Sequence, residues 1–278
     1  MHRSKATARA RLLRDIEAMN VRAVAAHWSL IPPALAKRLR TRVGRIGDAI
    51  LTVAADSDAV RMNRVVGLGH LGRAREPMID EIIDFYREAG LRRFSLMMSP
   101  GPQAARITAW LLDRGFERHG GHSMLLRPGG MAVTAERSDV RVVRAGREHM
   151  AAVIAINERC FAVPASRRGW TLSAMRAPGL EQYVAMVGRT TVAFGALRID
   201  GDLAWLGMGA TLTRWRRHGA HAALIAARLR RAARKGCRWV CVETMIPEPG
   251  RPAGSRRNLL RAGFADACEK PGFIWSER

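Results

Sequence analysis

The chain has 278 residues, 48% of them hydrophobic, and a formal charge of +23 from 47 basic and 24 acidic side chains. That length and apolar content suffice for two folded domains and exclude general disorder, and the absence of any apolar run of about 18 residues excludes a helical membrane span. The N-terminus lacks the apolar core of a secretory signal, and the four cysteines (Cys160, Cys237, Cys241, Cys268) have neither zinc nor redox spacing, so the expectations are a reducing cytoplasm and no metal site.

Residues 1–48 open with Leu12, Ile16, Met19 and Ala23 at helical spacing among many arginines, a basic amphipathic helix. Its apolar stripe suits packing on its own domain, although such helices also lie on nucleic acid or anionic membranes. Ile31-Pro32-Pro33 ends it, and a second short helix is expected to run to about Arg45. Ala49–Ala54 and Met62–Leu68 read as strands around an Asp56-Ser57-Asp58 turn. Gly67-Leu68-Gly69-His70-Leu71-Gly72 is a literal G-x-G-x-x-G. It does not open a helix, since the next one begins near Pro77, and the following strand, Phe94–Met98, ends in Ser99-Pro100 instead of an acidic residue. A dinucleotide-binding reading therefore fails on context.

The polar, turn-rich segment from Pro128 to Ser138 reads as a linker between domains 1–130 and 139–278. After it come a strand (Val140–Arg144), a helix (Glu148 to Phe161) and a second helix or loop over Pro164–Arg176. Tyr183–Val187, Thr191–Ile199 and Leu203–Thr213 then form a meander with Asp200-Gly201 as a tight hairpin turn. From Ala222 the period becomes helical, with Ala222, Ile225, Leu229 and Ala232 on one arc and Arg228, Arg231, Arg234 and Lys235 on the other. Gly236 stops that helix, Trp239–Val242 is a strand, and Ser255 to Phe264 is a helix ending in Ala262-Gly263-Phe264.

The halves repeat each other. Gly67-Leu68-Gly69 parallels Gly207-Met208-Gly209, Gly90-Leu91-Arg92-Arg93-Phe94 parallels Gly236-Cys237-Arg238-Trp239-Val240, and Leu111–Phe116 parallels Leu259–Phe264. From Gly69 to Gly90 the spacing is 21, and from Gly209 to Gly236 it is 27, so the first copy is six residues shorter where the second has Arg216-Arg217-His218-Gly219-Ala220-His221. A helix starting at that turn offers unpaired N–H groups and the positive end of its dipole, an arrangement suited to a pyrophosphate.

Strand, R-x-x-G-x turn, alanine-rich helix, strand, and helix ending in A-G-F resembles the acetyl-CoA-binding core of the GCN5-related N-acetyltransferases. The resemblance implies a fold class of α/β (α+β) with two tandem copies, each a mixed, mostly antiparallel twisted sheet flanked by helices, the first copy degenerate. It implies acetyl-CoA as co-substrate and transfer of its acetyl group to an amine of a small molecule or protein. Carried over residue by residue, Arg216, Arg217, His218, Gly219, Ala220 and His221 hold the pyrophosphate, and Met208, Gly209, Ala210, Thr211 and Leu212 contact the pantetheine arm. Ala210, Thr211 and Leu212 lie nearest the thioester carbonyl, and Asn258 contacts the pantetheine. The chain departs from the family pattern twice: His221 stands where the motif has Gly or Ala, and Leu259 stands where many members have the tyrosine that protonates the leaving thiolate. For the amine proton, Glu243 at the carboxyl end of its strand is the candidate base, with an arginine-paired structural carboxylate as the alternative. Two further functions stay open from sequence: a basic nucleic-acid-binding protein, and an acyl-CoA-binding regulator without turnover.

Overall fold

The computed structural model describes residues 2–57, 59–133, 139–247 and 254–277. They form two compact units, one of residues 1–122 with 268–278, the other of residues 123–267. The segment read as a linker lies partly outside the described residues.

The first unit begins with helix α1 (His2–Ser29) and helix α2 (Pro33–Leu39). In α1, Ile16, Met19, Val24 and Trp28 are buried, and the helix lies against Ala49–Ala54 of its own unit. The second short helix stops six residues earlier than its expected end near Arg45, because Arg40 turns left-handed (φ 46°) and Thr41–Ile46 becomes strand β1. β1 pairs antiparallel with β2 (Ala49–Ala54), whose six residues are all buried. Strand pairing overrides local preference here: Arg42 and Arg45 mask the alternation of a half-exposed edge strand. β3 is also shorter than expected, Arg64–Val66, because Val60–Met62 winds into a 3-10 turn and the chain leaves the sheet at Gly67. β3 runs parallel to β4 (Arg93–Met97), and between them helix α3 (Pro77–Glu88) buries Met78, Ile79, Ile82, Ile83 and Tyr86. Helix α4 (Ala104–Asp113) and strand β5 (Glu117–Pro128) follow, β5 passing into the second unit at Ser123. The core stacks Tyr86 on Phe94, ring centroids 4.0 Å apart, with Phe116 and Trp275 against Phe94. Trp275 arrives on the last strand of the chain, whose residues Gly272–Ser276 pair antiparallel with β4.

The second unit contains β6 (Arg141–Arg144), helices α5 (Met150–Phe161) and α6 (Arg168–Met175), and the antiparallel strands β7 (Leu180–Val187), β8 (Thr190–Asp200) and β9 (Leu203–Thr211). Helix α7 (Ala220–Arg234) crosses over to β10 (Trp239–Met245), which is parallel to β9, and helix α8 (Gly254–Arg261) follows. Helix α7 buries Leu224, Ile225, Leu229 and Ala232 against Leu197, Ala204, Leu206 and Val240 of the strands. One expectation for α7 is corrected: Arg228 does not sit on the solvated arc but is 3% exposed, with its head group among backbone carbonyls. Strand β11 (Ala265–Ser276) closes the chain, its first residues in the second unit and the rest in the first.

Candidate acyl-donor site

β9 is regular only over part of its length. Its register with β8 runs Ala193↔Thr211 and Phe194↔Ala210, then resumes at Ala196↔Gly207. Met208 and Gly209 therefore face the single residue Gly195, a β-bulge with Met208 at φ 50°. On its other side β9 pairs with β10 only from Leu203↔Trp239 to Leu206↔Val242. Beyond Leu206 and Val242 both strands continue, to Thr211 and Met245, without pairing. The two parallel strands part at their carboxyl ends, where ligand crevices of α/β sheets lie. Beyond Leu206 no ladder to β10 occupies the main chain of β9, although the Gly207 and Thr211 carbonyls accept from Arg228 and Cys160 and the Leu212 N–H is spent on the Val192 carbonyl at 3.0 Å.

The chain next makes a 3-10 turn, Thr213–Trp215, and enters α7 through Gly219 at φ 77°. Arg217 is also left-handed, at φ 70°. Among the described residues no acceptor is assigned to the backbone N–H groups of Arg217, His218, Gly219, Ala220 or His221, whereas Ala223 already donates to the Gly219 carbonyl at 2.9 Å. They form a cradle of donors at the positive end of a 15-residue helix, with Arg216, Arg217 and His218 exposed around it. The donors, the dipole and the charge suit a pyrophosphate.

His221, the departure from the motif, is partly buried. Its Nδ1 accepts a hydrogen bond from Asn258 Nδ2 on α8 at 3.0 Å, so the neutral ring carries its proton on Nε2. Burial, and then the charge of Arg228, push its pKa down to about 4. At neutral pH the imidazole is an uncharged strut between two helices. The pair brings Asn258 to the edge of the cradle.

Glu243 is half-buried one residue past Val242, the last paired position of β10, so it stands where the strands part. Thr211 is the last residue of β9, and its carbonyl accepts the Cys160 thiol at 3.6 Å. Leu259 is 2% exposed within the apolar core, so the position of the missing acid carries no group that can donate a proton. The sequence did not single out Trp215 or Thr244. The Trp215 indole N–H, on the 3-10 turn, and the Thr244 hydroxyl, on β10 beyond its last pair with β9, are buried without a partner among the described residues. Their signal was faint: polar atoms in otherwise apolar stretches beside the turn and the carboxylate.

The corresponding turn of the first unit has a different fate. Asp48, in the hairpin between β1 and β2, accepts the backbone N–H groups of Gly69 (3.0 Å), Leu71 (2.7 Å) and Gly72 (2.9 Å), and His70 Nδ1 lies 3.1 Å from the same carboxylate. Burial raises the carboxyl's pKa, but His70 and the three N–H donors outweigh it and hold Asp48 below the usual carboxylate range. His70 moves the other way: burial disfavours its charge, and Asp48 more than compensates, raising its pKa. Gln103 satisfies the remaining groups of the loop, accepting from Ala74 N–H and donating to the Gly69 and Gly72 carbonyls.

No family model matches the chain, and no curated protein matches it. Solved structures do. A tandem GNAT protein from the clavulanic acid biosynthesis pathway aligns with a TM-score of 0.65 at 15% identity, over 91% of this chain and 87% of its own. A GCN5-related N-acetyltransferase from Kribbella flavida aligns at 0.59 and 15% identity, over 91% and 95% of the two chains. One from Sphaerobacter thermophilus gives 0.59 and 14% over 82% and 80%. The chain has the GNAT fold in its two-domain form.

Proposed function

We propose that the protein is an acetyl-CoA-dependent N-acetyltransferase whose second unit binds the donor, the first being a degenerate copy that binds none. The parting of β9 from β10, leading straight to the open cradle before α7, supports this reading most. In the bound state acetyl-CoA would bring a thioester carbonyl and a thiolate leaving group.

The residues divide the work by position. Arg216, Arg217, His218, Gly219, Ala220 and His221 supply N–H donors and positive charge for the pyrophosphate. Met208, Gly209, Ala210 and Thr211 lie along the arm, with Asn258 and His221 bracing α8 against the turn. A backbone N–H near Ala210 or Thr211 polarises the thioester carbonyl. As the amine nitrogen bonds to the carbonyl carbon and the carbon–sulfur bond breaks, the amine proton passes to Glu243 and the sulfur leaves as a thiolate. A thiolate leaves without a protein acid because model thiols ionise near 8.5, so the buried Leu259 is compatible with turnover. The acceptor is an amine of a small molecule or protein. A thioester donor drawn from metabolism agrees with a cytoplasmic location.

Two measurements test this. Calorimetry should show one coenzyme A site, and release of free thiol from acetyl-CoA should rise with a good amine acceptor. Glu243→Gln should lower that turnover by about 10²–10⁴ while leaving coenzyme A affinity nearly intact, with the low-pH limb of the rate profile altered. Binding without thiol release across a broad amine panel would favour an acyl-CoA-binding regulator, and the core position of Leu259 is the observation on that side. Steeply salt-dependent RNA or DNA binding with no coenzyme A affinity would favour the nucleic-acid reading.

A further inference from the structure

The guanidinium of Arg228 is the one cationic head on α7 turned inward; Arg230 and Arg234 face water. Its Nε donates to the Leu224 carbonyl one turn back, at 3.0 Å. Its Nη1 reaches across to the sheet and donates to the Ala196 carbonyl at 2.9 Å and to the Gly207 carbonyl at 3.4 Å. Ala196 and Gly207 face each other at the point where the β9 bulge begins. Gly195, opposite the bulge, makes room for the head group: a Cβ there would lie 2.8 Å from Arg228 Cζ. Among the described residues its hydrogen-bond acceptors are all backbone carbonyls, and no carboxylate pairs with it. Burial lowers its pKa to about 10, so it still carries its charge at neutral pH. That charge is felt at His221, where it adds to the effect of burial.

A buried cation without a counter-ion is costly, and a well-packed apolar side chain is commonly a neutral or better replacement. Stability alone is therefore a weak account of Arg228. Its two partners are more informative. A carbonyl that accepts a charge-assisted hydrogen bond polarises its own peptide, making the next N–H a stronger donor. For Gly207 that next N–H belongs to Met208, inside the bulge. The positive charge also lies behind the strand on which negative charge grows during acyl transfer, a placement that lowers the cost of that charge.

Building on the acetyltransferase reading, we propose that Arg228 is a positioning residue for the acyl donor: it pins the β9 bulge to α7, so that cradle and arm-binding strand move as one body, and it puts a fixed positive charge behind the thioester carbonyl. The charge serves where Leu259 leaves no side-chain acid. Arg228 touches neither donor nor acceptor; it acts through the backbone of Gly207 and Met208.

The test uses the full chain, coenzyme A and acetyl-CoA labelled with carbon-13 at the thioester carbonyl. Wild type should shift the carbonyl stretching band of the bound thioester to lower wavenumber than in solution. Arg228→Met should bind coenzyme A within about threefold of wild type yet return the band towards its solution position, and Arg228→Lys should recover part of the shift. A band that keeps its wild-type position in Arg228→Met would overturn the proposal. If Arg228→Met does not fold, Gly195→Ala displaces the guanidinium while keeping its charge, and an unmoved band in that variant overturns the proposal equally. No acetyl-CoA affinity in wild type would instead defeat the acetyltransferase reading. The amide resonance of Met208 in the ligand-free protein then decides separately whether Arg228 polarises the bulge: it should move upfield in Arg228→Met or Gly195→Ala, and a stationary resonance overturns the idea.

Discussion

Two turns leave the sheets at the carboxyl end of a strand with a parallel neighbour, Gly67–Gly72 after β3 and Arg216–His221 after β9. Both present a run of backbone N–H groups of a kind that suits an anion. In the first the anion is part of the chain: Asp48 takes three N–H donors and draws His70 into an ion pair. In the second, among the described residues, no carboxylate is bonded to the turn and no acceptor is found for its N–H groups, and a helix of 15 residues starts at once. One kind of donor array is thus closed into a structural clasp where a carboxylate of the chain reaches it, and in the second turn is the one proposed to hold a ligand. The histidines divide in the same way, His70 favouring its charged form beside Asp48 and His221 its neutral form among buried neighbours.

The comparison breaks most visibly if the second turn is made like the first. Gly219→Glu adds a carboxylate at the cradle and a side chain at φ 77°, and should cost at least about 100-fold in coenzyme A affinity, near 2.7 kcal/mol. Unchanged affinity in calorimetry would show that the cradle is not the phosphate site. The reverse experiment is Asp48→Asn, which removes the charge from the clasp and should destabilise the chain by about 2–3 kcal/mol in urea unfolding, with coenzyme A affinity unaffected. A stability cost near zero would mean that water serves the three N–H groups as well as the carboxylate does. The smallest effect concerns His221. Its folded pKa, about 4, lies below the unfolded value, so between roughly pH 6.5 and 4 the unfolded chain binds a proton that the folded one refuses. The contribution of His221 to stability is complete above pH 6.5 and declines as acid is added. The unfolding free energy of wild type relative to His221→Gln should shrink by on the order of 2 kcal/mol across that window. His70 has its pKa raised and should act in the opposite sense, contributing most below its unfolded pKa and less as pH rises through its folded value.

The sequence made the second unit largely legible, because its strands and helices announce themselves by period and the turn at Arg216–His221 is contiguous. What escaped depends on partners distant along the chain. β1 reads as helix in the sequence because Arg42 and Arg45 hide a two-residue alternation that only pairing with β2 reveals. Asp48 was invisible as the occupant of the Gly67–Gly72 loop because it lies 21 residues before Gly69. Arg228 looked like one more arginine on a wet helix face, and nothing local says that Gly195 leaves a hole for it. The bulge at Met208 and the end of pairing after Val242 are three-dimensional facts, foreshadowed only by Gly207 and Gly209.

The passage of the last strand into the first unit has a consequence for biosynthesis. The second unit is continuous in sequence, but the first needs residues 268–278 to cover β4 and to bring Lys270 against the buried Glu17, 253 positions away. Closing so long a loop is thermodynamically mild, since each doubling of length costs only about 0.6 kcal/mol. In time it is demanding: at about 5–20 residues per second, the ribosome takes roughly 7–30 s to travel from residue 122 to residue 268. Throughout that interval the nascent first unit exposes the open edge of β4 and a Glu17 without its lysine. The half of the chain made first is therefore the half that finishes folding last, and a fragment cut at residue 128 would stay in that unfinished state.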